Sequence, residues 1–584
     1  MTMSDLTLQI ESVLCVDVGA VSTRAALFNL VDGQYRFMGS GVSPTTAGAP
    51  FHDVSEGVRS AIDELAGNTG WRILDENSRL ILPAKSDLLG VDAFAATISA
   101  GPPLKIVAVG LLDDVSLESA VHLAETTYCG SLQKFGLNEN QSLQDDINAI
   151  IRFQPDVVLV AGGTDGGAEH TILKRLDSVG IACFLMPQDS KPEVLYVGNR
   201  AVQDEVKSSL GAITRVRFAP NVRPMLDVEQ LDGGVVQLAE QYRSIRTRQI
   251  PGVHELDDWA GGGLKPTAVA FGRVVRFLSK LQKTSKGVLG IDVGASATTV
   301  AAAYAGDVVL NVNTRLGLGV GLGSLLEDAS LREIINWLPV EISETTIQEY
   351  LANKALYPAS IPSSVEELFL EQAVARVIIS HAYREVSERA LFRKLVRSSY
   401  FSFEPILASG SVLTRAPKLA QTALILLDGI QPTAATTMVL DQHHLIPSLG
   451  VAAAVKPDLA IQVLDSHAFV HLGTVISPMG NAPANTDVMQ LKIAYEDGRV
   501  ETLEVKQGTI QVLRLPRGQS ARLQIHPYHR YDVGMGGPGH GGKLKVHGGA
   551  LGLVIDARGR PLRLPSDPAR RREIQQKWLQ SLGG

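Results

Sequence analysis

Cysteine, long apolar runs and blocks of like charge are all scarce in this chain. The three cysteines among 584 residues, Cys15, Cys129 and Cys183, are too few and too scattered for a disulfide framework or a cysteine-based zinc site. No run approaches the ~18 apolar residues that a membrane-spanning helix needs. The net charge is −7 and no long Lys/Arg block occurs, so a nucleic-acid partner is not expected.

The amino terminus also lacks a targeting pattern. Its first ten residues include the acidic Asp5 and do not follow the basic, then apolar order of a signal peptide. We therefore expect a cytoplasmic protein with no transmembrane segment. Apolar residues make up 45% of the chain and charged residues 20%, as in ordinary folded proteins, and the length predicts several domains.

The most informative feature is a short stretch that occurs twice, at residues 14–26 and 289–301. Each copy is an apolar strand that leads into Asp-x-Gly and small residues, followed by a second strand. The second strands end at Asp32-Gly33 and Gly306-Asp307, dipeptides that tolerate the positive φ of hairpin turns. The chain therefore repeats one supersecondary unit.

Phosphate binding is the chemistry that such a loop suits. Small residues after a strand let backbone N–H groups approach phosphate oxygens, and an Asp at the strand end can hold Mg²⁺, usually through water. Two such loops facing each other would clamp a polyphosphate from both sides. A single Asp-x-Gly hairpin is explained equally well as an ordinary turn, and the repetition is what favours a ligand.

Residues 104–220 change to alternating strands and helices. Buried-strand runs at 105–110, 156–161 and 194–197 each lead towards a helix, which predicts a parallel Rossmann-like or flavodoxin-like unit inserted into the first half of the chain. The second run ends in Gly-Gly-Thr-Asp-Gly-Gly at 162–167, where such sheets usually bind ligands. A tight βα turn is the simpler alternative for this loop.

The second half contains one further strand with a small-residue turn, at 405–411, before a predicted helix at 416–427. Such a turn lets a flat nucleoside base lie close to the backbone. Residues 459–565 alternate in polarity, which predicts an antiparallel β domain, and 569–582 predicts a terminal helix. His540 and His547 lie in that β domain without a suitably spaced third metal ligand, so a surface loop is favoured there.

The order of these pieces resembles the actin–Hsp70–sugar kinase superfamily of ATPases, which have a first phosphate loop, a second phosphate loop and an adenosine turn. By position, the resemblance assigns residues to each piece of this pattern. The first loop takes Asp17, Gly19, Thr23 and Arg24, with Arg24 able to reach the phosphates; the second takes Asp292, Gly294 and Thr298; the adenosine turn takes Gly410.

More narrowly, the chain resembles the glutamate mutase MutL family, a mutase accessory protein unrelated to the mismatch-repair protein of similar name. The residues that carry this resemblance are 162–167, 198–200, 336–339, 426–428 and, as the most specific string, 548–561. Three positions depart from the superfamily pattern. Ala295 and Ser411 stand where a second glycine is usual, and Val300 lies near the place of an expected acidic residue, which points to slow hydrolysis.

The resemblance implies an α/β fold: a two-lobed actin-like ATPase (ribonuclease H-like) fold with an inserted Rossmann-like α/β unit and a C-terminal β-rich domain. The expected division places lobe I at 1–103 and 221–286, the inserted unit at 104–220, lobe II at 287–457, the β domain at 458–565 and a C-terminal helix at 566–584.

The resemblance also implies ATP and Mg²⁺ as ligands. Asp17 and Asp292 are the expected catalytic and metal-organising residues. The expected nucleotide-binding residues are Gly19, Ala20, Ser22, Thr23, Arg24, Gly294, Ala295, Ser296, Thr298, Gly410 and Ser411.

The implied function is a slow ATPase switch that serves as an accessory, reactivating chaperone of an adenosylcobalamin-dependent mutase. Its expected protein partner is a mutase subunit or a second copy of this chain. The alternatives are a nucleotide-dependent actin-like scaffold or filament protein, and a small-molecule kinase. The kinase alternative needs a substrate-side base near the γ-phosphate, and the sequence identifies none.

Overall fold

The computed structural model describes residues 10–136, 143–282, 285–389, 392–393 and 402–583. Residues 1–9 and parts of the stretch 390–401 lie outside this description. The chain divides into two compact units. The first comprises residues up to Ala270 with Leu310–Thr314 and Gly450–Pro457, and the second comprises Phe271–Val309, Arg315–Leu449 and the residues from Asp458 onward.

The strands of the described ranges follow in chain order. They are β1 Ser12–Val18, β2 Ser22–Val31, β3 Gln34–Pro44, β4 Ala93–Ile98, β5 Leu104–Val109, β6 Cys129–Phe135, β7 Val157–Val160, β8 Glu193–Tyr196, β9 Val216–Phe218, β10 Lys265–Pro266, β11 Gly287–Val293, β12 Thr298–Tyr304, β13 Asp307–Asn313, β14 Phe403–Ser409, β15 Ala434–Leu440, β16 Val470–Ser477, β17 Asp487–Tyr495, β18 Val500–Lys506, β19 Ile510–Leu513, β20 Ser520–Pro527, β21 Gly542–His547 and β22 Gly552–Asp556.

The α-helices of the same ranges are numbered likewise. They are α1 Val54–Thr69, α2 Glu118–Ala124, α3 Leu143–Phe153, α4 His170–Leu185, α5 Gln203–Leu210, α6 Asp232–Gln249, α7 Val253–Trp259, α8 Thr267–Leu281, α9 Leu322–Asp328, α10 Leu331–Asn336, α11 Glu344–Leu356, α12 Val365–Glu388, α13 Ser411–Thr414, α14 Leu419–Gly429, α15 Leu445–Val455, α16 Pro457–Leu464 and α17 Pro568–Ser581.

Each unit contains a sheet built on the same plan. In the first unit the strand order is β10-β4-β1-β2-β3, with β1 antiparallel to β2 and parallel to β4. The second such sheet has the order β13-β12-β11-β14-β15-β16-β22-β19 and repeats this arrangement, because β11 is antiparallel to β12 and parallel to β14. This is a ribonuclease H-like strand order, and the predicted α/β fold is confirmed.

The sequence explains why β1 and β11 are central strands. Both are nearly continuous apolar runs, as expected of strands covered on both faces. Val13, Leu14 and Cys15 of β1 have no exposed surface, and neither have Leu289 and Ile291 of β11. Each run ends on an aspartate followed by a glycine turn, so burial of the strand fixes where that aspartate lies.

The inserted unit is a wholly parallel sheet with the order β6-β5-β7-β8-β9. Its chain order is therefore two-one-three-four-five, which is the flavodoxin-like arrangement. The predicted runs 105–110, 156–161 and 194–197 correspond to β5, β7 and β8. The loops that follow these strands lie at the carboxyl edge of the sheet, where α/β proteins usually bind ligands.

The strands of residues 458–565 divide between two sheets. An antiparallel sheet with the order β18-β17-β20-β21 has the alternating pattern that the sequence predicts. By contrast, β16, β19 and β22 continue the sheet of the second unit, and β22 is parallel to β16. The five residues of β22 are all buried, which suits an interior strand. In the described ranges, no helix is long and apolar enough to cross a bilayer.

Candidate functional site

The first predicted phosphate loop is a tight turn between β1 and β2. Asp17 pairs with Arg24 and Val18 with Thr23 across the two strands. The Gly19 N–H donates to the carbonyl oxygen of Ser22 over 3.1 Å. A Cβ added to Gly19 would lie 2.7 Å from that same oxygen, so the turn requires glycine at this position. Ala20 is exposed at the tip of the loop.

The second predicted loop has the same geometry. Val293 pairs with Thr298, the Gly294 N–H donates to the carbonyl oxygen of Ala297 over 3.0 Å, and a Cβ on Gly294 would lie 2.8 Å from that oxygen. The N–H groups of Ala295 and Ser296 form no hydrogen bond with any described residue. The loop therefore presents two successive backbone donors, which is the arrangement that binds anions.

Asp17 is enclosed by hydroxyl groups of its own unit. Its Oδ1 accepts hydrogen bonds from Thr97 Oγ1 at 2.6 Å and Thr267 Oγ1 at 2.7 Å. Thr97 is the register partner of Asp17 on β4, and Thr267 is the first residue of α8. With 2% of its surface exposed, Asp17 is a buried hydrogen-bond acceptor.

Asp292 stands at the equivalent position of the second unit in different surroundings. Its Oδ1 is buried and accepts no hydrogen bond from any described residue, while 15% of its side chain is exposed. His444 Nδ1 lies 3.8 Å from this oxygen. Ser409, the register partner of Asp292 on β14, bonds through its Oγ to His444 Nδ1 at 2.8 Å.

A second carboxylate, Asp441, lies near this group. It follows β15, and its two oxygens accept the N–H groups of Leu445 and Ile446 at 2.8 Å each, which caps α15. Burial raises the pKa of Asp441 above its ordinary value; His444 and the two N–H groups oppose this effect, and Asp292 adds to it. Asp292, Ser409, Asp441 and His444 therefore form one polar cluster, called here the Asp292 cluster.

Two further features surround the second loop. The Thr298 Oγ1 is buried and has no hydrogen-bond partner among the described residues. Gly317 and Gly319 pack directly against the loop. A Cβ on either residue would lie within 3.0 Å of the Ala295 carbonyl oxygen. The glycine-rich segment after the second hairpin thus supports the loop from behind.

The predicted adenosine turn lies against the end of β11. Gly410 has a φ of 105°, and a Cβ there would lie 2.2 Å from the carbonyl oxygen of Val293. Only glycine fits such a close approach at positive φ. Ser411 is the first residue of α13 and has no positive φ, so the structure accommodates serine where a second glycine is usual.

The remaining predicted residues belong to one loop or the other. Thr23 bonds through its hydroxyl to Thr45 Oγ1 at 2.9 Å, and Thr45 Oγ1 also donates to the carbonyl oxygen of Gly19 at 2.8 Å. Ser22 and Arg24 are half-buried residues of β2. Val300 is fully buried in the core of its unit, which leaves no room there for the expected acidic side chain.

The residues present fit a magnesium-bound polyphosphate at the second loop. This loop contains four groups without a hydrogen-bond partner among the described residues: one carboxylate oxygen, one hydroxyl group and two N–H groups. They lie close together in the sequence. Among the described residues, no three His, Cys, Asp or Glu side chains are placed so that they could hold a metal ion together. Mg²⁺ keeps several waters and is usually bound by one or two carboxylates with substrate phosphates, so one aspartate suffices.

In the inserted unit, the loop 162–167 is held by asparagines of neighbouring strands. Asn199 Oδ1 accepts from Gly166 N–H at 3.3 Å, and Asn221 Nδ2 donates to Asp165 Oδ1 at 3.0 Å. A Cβ on Gly163 would lie 2.9 Å from the Ala168 carbonyl oxygen. These contacts are those of a braced turn, and its role in binding stays a prediction.

Sequence reasoning missed Thr97, Thr267, Ser409, Asp441 and His444. The sequence pattern could have indicated two of these residues. Ser409 immediately precedes the predicted adenosine turn. Asp441 lies at the end of a buried apolar strand, much as Asp17 and Asp292 do. Their contacts join residues far apart in the chain, and no local pattern encodes such pairing.

A family model described as MutL protein matches residues 13–468. Protein MutL of Clostridium tetanomorphum is 22% identical over 411 residues, covering 64% of this chain and 85% of that protein.

Solved structures with a similar fold include the nucleotide-free diol dehydratase-reactivating factor and the xylulose kinase from Bifidobacterium adolescentis. The first is 10% identical with a TM-score of 0.29, over 78% of this chain and 99% of the other. The second is 12% identical with a TM-score of 0.28, over 80% and 96%.

Proposed function

The chain belongs to the MutL protein family, and from this premise we propose that it is an ATP-binding, slowly hydrolysing accessory protein of an adenosylcobalamin-dependent mutase. Two separate grounds support the proposal. Nucleotide binding rests on the repeated loops and on the Gly410 turn. The accessory role rests on the family and its implied connection with glutamate mutase.

The observation that carries nucleotide binding is the unsatisfied second loop. A buried polar atom without a partner is costly, by about 1–3 kcal/mol for a neutral group and more for a charged one. Asp292 Oδ1 and Thr298 Oγ1 are both buried without a hydrogen-bond partner among the described residues. The nearby N–H groups of Ala295 and Ser296 also lack such a partner. A bound polyphosphate with its hydrated metal would supply the acceptors and donors that these groups lack.

Each part of the site has a separate task in this proposal. The N–H groups of Ala295 and Ser296 bind phosphate oxygens, and Thr298 Oγ1 donates to one of them. Asp292 accepts hydrogen bonds from the water shell of the cation. Mg²⁺, when bound, neutralises phosphate charge. The Gly410 turn, whose glycine has no side chain, lets the base lie against the backbone.

Slow turnover follows from what surrounds the second loop. Val300 is a core residue, so β12 supplies no carboxylate at that point to activate a water molecule. Without a carboxylate at this position to act as the base, hydrolysis loses the roughly 10²–10⁴-fold that general base catalysis provides. A long-lived ATP state suits a protein that acts by switching between conformations.

Calorimetric titration of the full chain with ATP and MgCl₂ tests the nucleotide part. Saturable MgATP binding is expected, and Thr298→Val is expected to weaken it because the substitution removes the hydroxyl at nearly constant volume. Ala305 lies at the tip of the β12–β13 turn, and Ala305→Ser is the matched surface control. Absence of binding at millimolar MgATP would show that this part of the proposal is wrong.

A reactivation assay tests the accessory part. An adenosylcobalamin-dependent mutase from the same organism is inactivated by turnover and then incubated with this chain, excess adenosylcobalamin and MgATP. Recovery of mutase activity that requires ATP is expected. If the mutase neither recovers nor forms a complex in any nucleotide state, the accessory role is wrong, whatever calorimetry shows about ATP.

A further inference from the structure

The internal repeat supplies a matched comparison between the two loop aspartates. Asp17 and Asp292 end equivalent strands, and each has a hydroxyl residue as its register partner on the neighbouring parallel strand. Thr97 uses its hydroxyl to bond Asp17 at 2.6 Å. Ser409 bonds His444 at 2.8 Å instead. The same strand plan therefore leaves one carboxylate enclosed and the other open.

The hydrogen bonds that each carboxylate already accepts determine how readily it can bind the water shell of a metal ion. Asp17 Oδ1 already accepts two hydroxyl donors, so an additional hydrogen bond from metal-bound water would compete with bonds that the fold provides. Asp292 Oδ1 accepts none from the described residues, and its side chain has an exposed fraction of 15%. A hydrogen-bond donor that reaches Asp292 Oδ1 breaks no existing hydrogen bond to this oxygen. It also offsets the free-energy cost of burying the oxygen away from water.

We propose that the metal-organising role is not shared between the two loops: Asp292 alone anchors the divalent cation of the bound nucleotide, and His444, held by Ser409, is the positioning residue that orients it. Asp17 instead fixes the first loop as a buried acceptor for Thr97 and Thr267. This inference rests on the proposed nucleotide binding.

His444 is suited to this positioning role by where it is held. Its Nδ1 lies between Ser409 Oγ and Asp292 Oδ1, at 2.8 Å and 3.8 Å. His444 has a φ of 57°, and its N–H approaches the Asp441 carbonyl oxygen at 3.3 Å. Residues that orient a metal-binding carboxylate contribute about 10–100-fold to metal affinity in comparable sites.

The test compares ATP affinity with and without Mg²⁺ in the full chain, measured by calorimetry, and records melting temperature beside it. Asp292→Asn is expected to keep its Mg²⁺-free ATP affinity and to lose most of the enhancement by Mg²⁺, about tenfold or more. Asp17→Asn is expected to lower the melting temperature while the ratio of the two affinities persists. Equal loss of the Mg²⁺ enhancement in both variants would overturn the inference.

Neighbouring histidines supply the second comparison. His444→Gln is expected to reduce the Mg²⁺ enhancement about tenfold, with a smaller effect from Ser409→Ala, whereas the substitution His443→Gln at the exposed neighbour should resemble the parent chain. If Asp292→Asn does not fold, the comparison of His444→Gln with His443→Gln tests the inference instead. An equal Mg²⁺ enhancement of ATP affinity in these two variants would overturn it. If the parent binds MgATP and these expectations fail, the inference alone is wrong; if the parent binds no ATP at all, the proposed function falls with it.

Discussion

Arg558 donates through its Nη1 to Asp428 Oδ1 over 2.7 Å, and both side chains are buried. These residues are 130 positions apart and belong to the strings 548–561 and 426–428, which carry the family resemblance. Asp428 also accepts from Arg376 Nε at 2.7 Å, and Arg558 lies over the Trp578 ring at 4.8 Å. The strings thus meet in one buried charged network, to which α17 contributes its indole.

Removing one charge from this network should destabilise the second unit. Arg558→Met leaves Asp428 and Asp556 without their shared donor, and breaking a buried pair in this way typically costs about 3–5 kcal/mol. We expect a clear fall in the denaturant midpoint. Arg499→Met is the matched control, because Arg499 pairs with Asp497 on the exposed surface. Equal midpoints for Arg558→Met and the parent would contradict this account.

The acid dependence of stability should report on Asp556. Burial alone would raise its pKa, but Arg558 and Arg560 outweigh burial and hold the pKa below its ordinary value. A lowered pKa stabilises the folded state above the unfolded value of about 3.9, and that stabilisation is lost as the pH falls below it. The difference in unfolding free energy between parent and Asp556→Asn should therefore shrink from pH 5 to pH 2. A constant difference across this range would argue against the pairing.

Gly410 should not tolerate a side chain. Gly410→Ala combines a φ of 105° with a Cβ 2.2 Å from the Val293 carbonyl oxygen, and strain of this kind costs roughly 1–3 kcal/mol or more. We expect a lower melting temperature and weaker nucleotide binding. Gly323→Ala is the control, since its Cβ would meet nothing within 4 Å and it lies in α9. That control should be neutral or slightly stabilising.

The three thiols should react slowly in the native protein. Burial raises the pKa of Cys129 to about 12 and that of Cys183 to about 11, and it raises the pKa of fully buried Cys15 as well. Since the thiolate is the reactive form, little of it exists at pH 8. Ellman's reagent should titrate the thiols slowly in buffer and rapidly in guanidinium chloride. Three rapid equivalents without denaturant would contradict the raised thiol pKa values.

Much of this architecture is predictable because local pattern encodes it. The hairpins around Asp17 and Asp292 follow from apolar strands that end in Asp-x-Gly, and β5, β7 and β8 follow from their buried runs. The division of residues 458–565 between two sheets was not predicted. The parallel pairing of β16 with β22 joins Thr474 to Leu553, and a short apolar run does not specify its neighbour.

The Asp292 cluster shows why the candidate site was only half predicted. Sequence similarity makes Asp17 and Asp292 equivalent, and both were assigned the same metal role. Their difference depends on Thr267 near one and His444 near the other, residues that the fold brings in from distant positions. Symmetry in the sequence thus predicts the loops, whereas the carboxylate environments require the tertiary structure.

Hydrogen exchange of the apo, ADP and MgATP forms tests the central claim of a nucleotide-dependent switch most directly. ATP offers its γ-phosphate and cation to loop groups that ADP does not reach, and a free-energy difference of about 1.4 kcal/mol between two conformations changes their ratio tenfold. We predict progressive protection at residues 17–24, at 292–299 and around Gly410, largest with MgATP. Identical exchange profiles in all three states would contradict the account and leave a static scaffold as the better description.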